Sequence, residues 1–191
     1  YPKAPIIGDV KCSQTYYDKI AEYNGTPVRW KTGHSLIKEK VRDEKSPFGG
    51  ELSGHVFFND RNYGYDDALY ASFRLLECLE QEKITLSEFI DSLPMTFTSP
   101  ELRVEVPEAL KFQIVEDLVL KTKATMALGS YEVLDLNTID GFRAQVDGGW
   151  ALVRASNTQP AITIRFEAAT ETLLHHLKNA MAEELSLNLD F

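Results

Sequence analysis

Short apolar runs alternate with segments of helical periodicity in the first half of the chain. Asp66 and Asp67 precede the most regular helical segment and are suited to open it, and Ser35 is expected to cap an earlier helix. The predicted strands lie at 5–10, 27–30 and 55–58, and the predicted helices at 14–25, 33–45, 66–82 and 86–93. This alternation predicts an α/β domain that begins with a β-α-β unit.

From about residue 97 the pattern changes to several strands joined by short turns, with a helix toward each end. The predicted strands lie at 99–107, 131–136, 141–147, 150–156 and 161–168, and the predicted helices at 108–122 and 170–185. Short turns between successive strands favour antiparallel pairing. The sequence therefore predicts an α/β domain over 1–96, followed by a small α+β domain with an antiparallel sheet over 97–191.

The composition restricts the partners that the chain could have. Of its 191 residues, 43% are hydrophobic and 26% charged, which is typical of a soluble globular protein. The formal net charge of -9 argues against binding to nucleic acid, because that requires clustered basic residues. No apolar run reaches the roughly 20 residues that cross a bilayer, so no membrane association is predicted. Cys12 and Cys78 lie far apart and favour reduced thiols in a cytoplasmic protein.

The segment GGELSGHVFFND, residues 49–60, concentrates polar chemistry before an apolar run. If the segment is extended, the alternating residues Glu51, Ser53 and His55 point to the same side. A carboxylate beside a hydroxyl can bind a vicinal diol, because the carboxylate accepts two hydrogen bonds while the hydroxyl both donates and accepts. The alternative is a tight turn in which Glu51 caps a neighbouring segment.

A second polar segment, RASNTQPAITIRF at 154–166, favours anion binding. Successive amides in a turn can form a nest for an anion, and a guanidinium binds phosphate through two hydrogen bonds. The candidate residues are Arg154, Ser156, Asn157, Thr158 and Arg165. The alternative is a hairpin turn in which Arg154 makes only a surface ion pair.

Lys11 and His34 form a weaker third set of candidates. Both are predicted at loops next to strand ends, where open α/β sheets place ligand contacts. No metal site is predicted, since His175 and His176 lie on a helix without an evident third ligand.

Four segments in this order resemble the C-terminal part of the α-D-phosphohexomutases: WKTGHSLIK, GGELSGHVFF, GYDDALYASFRLLE and VRASNTQPAITIRFEA. The similarity is closest to the bacterial phosphomannomutase/phosphoglucomutases. Phosphoglucosamine mutases are a second choice, because they tend to have S-G-T where this chain has Ser156, Asn157 and Thr158. The resemblance covers nearly the whole chain and implies domains 3 and 4 of the family, the first of them truncated at its N-terminus.

The resemblance implies that the first domain binds the sugar. Glu51 and Ser53 would bind the 3- and 4-hydroxyls of the hexose. Lys11, His34 and His55 match positions that line the catalytic centre of the family, where they would tune proton transfer and charge.

The resemblance also implies that the second domain binds the phosphate that does not react. This phosphate would be held by Arg154, Ser156, Asn157 and Thr158. Arg165 matches a strand residue that supports the phosphate loop.

The chain lacks the phosphoserine loop and the aspartate-rich metal loop of the family. The resemblance therefore implies a fragment of a longer enzyme that interconverts hexose 1-phosphate and hexose 6-phosphate, inactive without its N-terminal domains. The parent would need Mg²⁺, whose ligands are outside this chain, and glucose 1,6-bisphosphate or mannose 1,6-bisphosphate as intermediate. From the residues alone, a non-catalytic module that binds sugar phosphates is an alternative.

Overall fold

A computed structural model describes residues 1–187 and residue 189, and it divides the chain into two compact units, Tyr1–Pro94 and Met95–Phe191. The strands of the first unit are β1 (Pro5–Asp9), β2 (Thr26–Trp30), β3 (Phe48–Gly50) and β4 (Val56–Phe58). Its helices are α1 (Gln14–Glu22), α2 (His34–Asp43), α3 (Ala68–Glu82) and α4 (Leu86–Asp91). The strand order is β2-β1-β3-β4, with β1, β2 and β3 parallel and β4 antiparallel to β3.

The hydrophobic core of the first unit is small. Its cluster of buried residues consists of Ile7, Ile37, Val41 and Phe57 within the described chain. Helix α2 packs closely on the sheet, because a Cβ added at Gly49 would lie only 2.4 Å from Val41 Cγ2. Glycine at this position of β3 therefore allows the helix to approach the sheet.

Helices α3 and α4 contain no buried residue. The predicted opening of α3 is correct in that the Asp67 side chain accepts a hydrogen bond from the Tyr70 amide at 2.9 Å. The predicted cap of α2 is wrong: Ser35 lies inside the helix, and Gly33 occupies the N-cap position without a side-chain hydrogen bond.

The second unit contains an antiparallel sheet with helices α5 (Lys111–Thr125) and α6 (Glu171–Leu185). The strands are β5 (Phe97–Thr98), β6 (Leu102–Glu105), β7 (Ala127–Leu128), β8 (Tyr131–Glu132), β9 (Asp135–Asn137), β10 (Phe142–Val146), β11 (Gly149–Ala155) and β12 (Ala161–Ala168). The main sheet has the order β5-β12-β11-β10-β9, with β6 also paired to β12, whereas β7 and β8 form a separate hairpin. The predicted combination of an α/β and an α+β architecture is confirmed.

The core of the second unit lies between the main sheet and the two helices. Alternate residues of β12, such as Ile162, Ile164 and Phe166, are fully buried in it together with Leu177 and Met181. The strand predicted at 131–136 is instead divided between β8 and β9, which belong to different sheets. None of the helices in the described part of the chain combines the length and the apolar character that crossing a membrane requires.

Candidate functional site

Three strands of the first unit end at the same edge of the sheet. Strands β1, β2 and β3 are parallel, so the turns that follow them lie side by side. Lys11 lies in the turn after β1, His34 is the first residue of the helix after β2, and Glu51 directly follows β3. The structure thus places the predicted residues of this unit in neighbouring loops at the carboxyl edge.

A buried carboxylate, Asp9, connects these loops. It is fully buried at the end of β1 and accepts hydrogen bonds from Cys12 Sγ at 3.1 Å and from Thr32 Oγ1 at 3.2 Å. It also accepts a longer hydrogen bond from the Leu52 amide at 3.4 Å. Sequence reasoning missed this residue; its only signal is an acidic side chain that closes an apolar run.

The groups around Asp9 favour their neutral forms. Burial raises the pKa of the Cys12 thiol, and the charge of Asp9 raises it further. Burial likewise raises the pKa of Tyr16, whose hydroxyl donates to the Ile7 carbonyl at 2.9 Å. Cys12 is therefore a structural donor to Asp9 and not a nucleophile near neutral pH.

The loop after β3 is a turn, so the prediction of an extended segment is wrong. The Glu51 amide donates to the His55 carbonyl at 2.9 Å, and the Gly54 amide donates to the Glu51 carbonyl at 3.0 Å. The chain reverses here to pair β3 with β4. Glu51, Ser53 and His55 are therefore arranged by the turn and not by strand alternation.

The Glu51 side chain is 8% exposed and is engaged on one side. Its Oε1 accepts a hydrogen bond from the Gly33 amide at 2.5 Å, next to the start of α2. Its Oε2 lies 3.5 Å from the hydroxyl of Ser53. The contact of Oε1 thus agrees with the alternative interpretation, a turn in which Glu51 caps a neighbouring segment. The other oxygen, Oε2, forms a polar pair with the Ser53 hydroxyl.

The turn also brings the two predicted histidines together. The ring centroids of His34 and His55 are 5.9 Å apart, and both side chains are exposed. His55 Nδ1 lies 2.6 Å from Asp66 Oδ2. An acidic partner of His55 eleven residues further along the chain could not be read from the sequence pattern.

In the second unit, the predicted phosphate loop connects β11 and β12. Ser156 is 7% exposed, and its Oγ accepts from the amides of Thr158 at 3.4 Å and Gln159 at 3.2 Å. Asn157 and Thr158 are exposed at the tip of the loop. Two backbone amides expected to form the anion-binding nest thus donate to the hydroxyl of Ser156 in the same loop.

Arg154 has an acidic partner that sequence reasoning missed. Its Nε donates to Asp140 Oδ2 at 3.1 Å, and the two side chains are 11% and 16% exposed. Asp140 precedes Gly141, where an added Cβ would lie 2.6 Å from the Val153 carbonyl oxygen and φ is +108°. The Asp-Gly turn therefore packs against β11, and the Arg154 ion pair is partly buried instead of lying on the surface.

Two basic side chains contact the predicted phosphate loop at Gln159. Lys111 is 2% exposed, and its Nζ donates to the Gln159 carbonyl at 3.2 Å and pairs with Glu108 at 2.7 Å. Arg103 donates to the side chain of Gln159. Two basic residues are thus directed at the same loop position in an acidic protein.

Arg165 lies on β12, two residues beyond Thr163, and Thr163 pairs with Arg154 on the neighbouring strand β11. Strand alternation places Arg154, Thr163 and Arg165 on the same face of the sheet. The buried Nε of Arg165 has no hydrogen-bond partner in the described part of the chain. A further guanidinium thus lies near the predicted phosphate-binding residue.

Comparison with known proteins identifies the family to which the chain belongs. The family model "Phosphoglucomutase/phosphomannomutase, alpha/beta/alpha domain III" matches residues 1–97, and "Phosphoglucomutase/phosphomannomutase, C-terminal domain" matches residues 101–184. The chain belongs to the phosphoglucomutase/phosphomannomutase family, which confirms the resemblance seen in its motifs.

Individual relatives agree with this assignment. The chain is 42% identical to a phosphomannomutase/phosphoglucomutase of Pseudomonas aeruginosa and 41% identical to one of Pseudomonas syringae pv. tomato, in each case over 96% of this chain. It spans 38% of the length of each of these curated relatives. A phosphoglucomutase/phosphomannomutase family protein from Burkholderia thailandensis, at 36% identity, superimposes with a TM-score of 0.84 over 100% of this chain and 40% of that protein.

Proposed function

We propose that this chain provides the sugar- and phosphate-binding part of an enzyme that interconverts hexose 1-phosphate and hexose 6-phosphate, with mannose and glucose as the sugars. The observation that carries the proposal is the carboxyl edge of the first sheet, where Glu51, Ser53, His34 and His55 occupy adjoining loops. The names of the relatives support the same activity.

The first unit is proposed to read the sugar. The Glu51 Oε2 and the Ser53 hydroxyl can bind adjacent hydroxyls, because one only accepts and the other both donates and accepts. Lys11, His34 and His55 are proposed to act on proton transfer and charge around the reacting group. Lys11 supplies a positive charge at the same edge of the sheet.

The second unit is proposed to hold the phosphate that does not react. The Asp140 carboxylate engages Arg154 Nε, which fixes the guanidinium while its terminal nitrogens can face a phosphate. Ser156, Asn157 and Thr158 add hydroxyl, amide and backbone donors, with Arg165 on the adjacent strand. Such a site recognises the phosphate group alone, so it accepts a sugar phosphate through either of its ends.

The remaining chemistry is proposed to come from outside these residues. Phosphoryl transfer in this reaction needs a phosphoryl carrier, and Mg²⁺ would stabilise the charge on the transferred group. Within the described residues, no group of three or more His, Cys, Asp or Glu side chains could hold a metal ion. The relatives are longer than this chain, so other domains of the same protein are the proposed source. A bisphosphorylated hexose is the proposed intermediate.

A cytoplasmic location is part of the proposal. Cys12 and Cys78 are both free thiols, which suits a reducing compartment.

The proposal is tested by titrating the 191-residue chain with glucose 1-phosphate and following amide resonances. Arg154→Ala should weaken binding by about 30- to 1000-fold, because it removes a charge-assisted contact worth roughly 2 to 4 kcal/mol. Arg42→Ala is the matched control, since Arg42 is 71% exposed on α2 and pairs with Asp43. Equal binding by the two variants would contradict the assignment of the phosphate site.

Titration with other sugar phosphates distinguishes this proposal from the two alternatives, a phosphoglucosamine mutase and a non-catalytic binding module. A phosphomannomutase/phosphoglucomutase fragment should bind glucose and mannose 1-phosphates with similar affinity. A strong preference for glucosamine 1-phosphate would favour a phosphoglucosamine mutase. Turnover is expected only in the presence of the family's other domains, and its absence even then would favour a non-catalytic binding module.

A further inference from the structure

The contact between His55 and Asp66 joins two segments whose backbones are both held in place. His55 closes the turn after β3, where its carbonyl accepts a hydrogen bond from the Glu51 amide at 2.9 Å. Asp66 forms an isolated β-bridge with the fully buried Phe57. The next residue, Asp67, caps α3. The side-chain contact of 2.6 Å between His55 Nδ1 and Asp66 Oδ2 therefore joins two backbone segments that are held in place.

This contact determines which nitrogen of His55 carries the proton. An ionised carboxylate has only acceptors, so the ring nitrogen that faces it must be the donor. In a neutral imidazole the other nitrogen then has a free lone pair. The geometry thus selects the form with the proton on Nδ1, leaving Nε2 as the acceptor.

We infer that Asp66 is a positioning residue that holds His55 in the Nδ1–H tautomer, so that Nε2 accepts a hydrogen bond from a ligand hydroxyl. The inference rests on the function proposed above, in which His55 acts at the reacting end of the sugar phosphate. It adds a residue to that site, and it assigns the direction of a hydrogen bond.

The exposure of the pair decides what Asp66 can contribute. The side chains are 45% and 36% exposed, and an ion pair at such a position adds little to stability. A small energy difference between the two tautomers is nevertheless enough to make one of them predominate. A carboxylate that fixes an imidazole through one nitrogen acts on the tautomer and the direction of the other nitrogen.

The test is the tautomer of His55, measured from its two ring ¹⁵N resonances in the 191-residue chain at a pH where the ring is neutral. In the wild type, Nδ1 should resonate as a protonated nitrogen and Nε2 as an unprotonated one. Asp66→Ala removes the carboxylate acceptor that faces Nδ1, so the fraction of molecules with the proton on Nε2 should rise several-fold. Asp66→Glu, which keeps a carboxylate, should retain the wild-type tautomer at least in part.

The matched control is Asp67→Asn, which makes the same change of charge at the adjacent residue. Asparagine is as good an N-cap as aspartate, so α3 keeps its cap and the His55 resonances should be unchanged. Protonation of Nε2 in the wild type, or an unchanged tautomer in Asp66→Ala, would overturn the inference.

A titration with glucose 1-phosphate separates this inference from the proposed function. A wild-type chain with the Nδ1–H tautomer that binds no hexose phosphate would contradict the function and leave the pair intact. A chain that binds hexose phosphate but has the Nε2–H tautomer would contradict the role of Asp66 alone.

Discussion

The two units hold their candidate sites in different ways. In the second unit, Arg154 lies on β11, and the residues on either side of it, Val153 and Ala155, belong to a large buried core. In the first unit the core cluster has only Ile7, Ile37, Val41 and Phe57 among the described residues. There the site depends on hydrogen bonds between loops, with Asp9 and Glu51 as acceptors. The comparison shows that the proposed phosphate site is supported by packing and the proposed sugar site by polar contacts.

The first prediction compares a core residue of the second unit with an exposed residue of α3 in the first. Phe166→Ala removes a fully buried side chain and should destabilise the second unit by about 3 to 5 kcal/mol. Phe73→Ala on α3, where the side chain is 63% exposed, should change stability by less than about 0.5 kcal/mol. Hydrogen exchange of β12 and α3 amides measures each unit separately. A comparable loss of stability in both variants would mean that the Phe73 side chain is buried against another surface in solution.

The second prediction concerns the packing of α2 on the first sheet. Gly49→Ala would place a Cβ 2.4 Å from Val41 Cγ2, and the resulting overpacking should cost about 1 to 3 kcal/mol. Gly50→Ala is the control, because its nearest neighbour would be the His55 carbonyl oxygen at 3.7 Å. Urea unfolding of the two variants measures the difference. Equal stability would show that the sheet and α2 are less tightly packed than the structure indicates.

The third prediction is a pH dependence confined to the first unit. The pKa of Cys12 is raised by burial and by Asp9, so the folded unit keeps the neutral thiol while the unfolded chain ionises. This contribution is complete below the unfolded pKa of about 8.5 and is lost as the pH rises, by about 1.4 kcal/mol at pH 9.5. Cys12→Ala should remove this part of the slope of stability against pH, and Cys78→Ala, at an exposed site, should not.

The fourth prediction concerns the contact that orients Arg154, the proposed phosphate-binding arginine. Asp140→Asn replaces a charged acceptor for Arg154 by a weaker neutral one and orients the guanidinium less firmly. This loss should outweigh the smaller repulsion of the phosphate, so the affinity for phosphate should fall about three- to tenfold. Asp135→Asn makes the same change of charge on β9 and should leave the affinity unchanged. Unchanged affinity in Asp140→Asn would show that Arg154 is oriented by other contacts.

Local patterns predicted most of the longer elements, but they missed β3 and did not predict the partners of the site residues. The β-α-β start, the Asp67 cap and the strands at 141–147, 150–156 and 161–168 follow from periodicity and turn residues. The contacts of Asp9 with Leu52 and of Glu51 with Gly33 join residues far apart in sequence. These contacts form because parallel strands end at the same edge of the sheet. In a single sequence, the only sign of that arrangement is the alternation of strands and helices.

The loop at 51–55 shows the limit of alternation as a signal. Three alternating polar residues fit an extended strand, yet Gly54 lies among them and favours a turn. In the structure the glycine signal prevails, since the chain reverses between β3 and β4. The chemistry proposed for Glu51 and Ser53 consequently depends on the turn and its hydrogen bonds.

The central claim is that the loop of the second unit binds phosphate and the loop of the first unit reads the sugar. Amide chemical-shift mapping with inorganic phosphate, glucose 1-phosphate and galactose 1-phosphate tests it directly. Phosphate alone should perturb Arg154 to Thr158, and glucose 1-phosphate should also perturb Glu51 to His55. Galactose 1-phosphate, with an inverted 4-hydroxyl, should perturb the second loop but the first much less. Identical maps for the two sugar phosphates, or no response of the second loop to phosphate, would contradict the account.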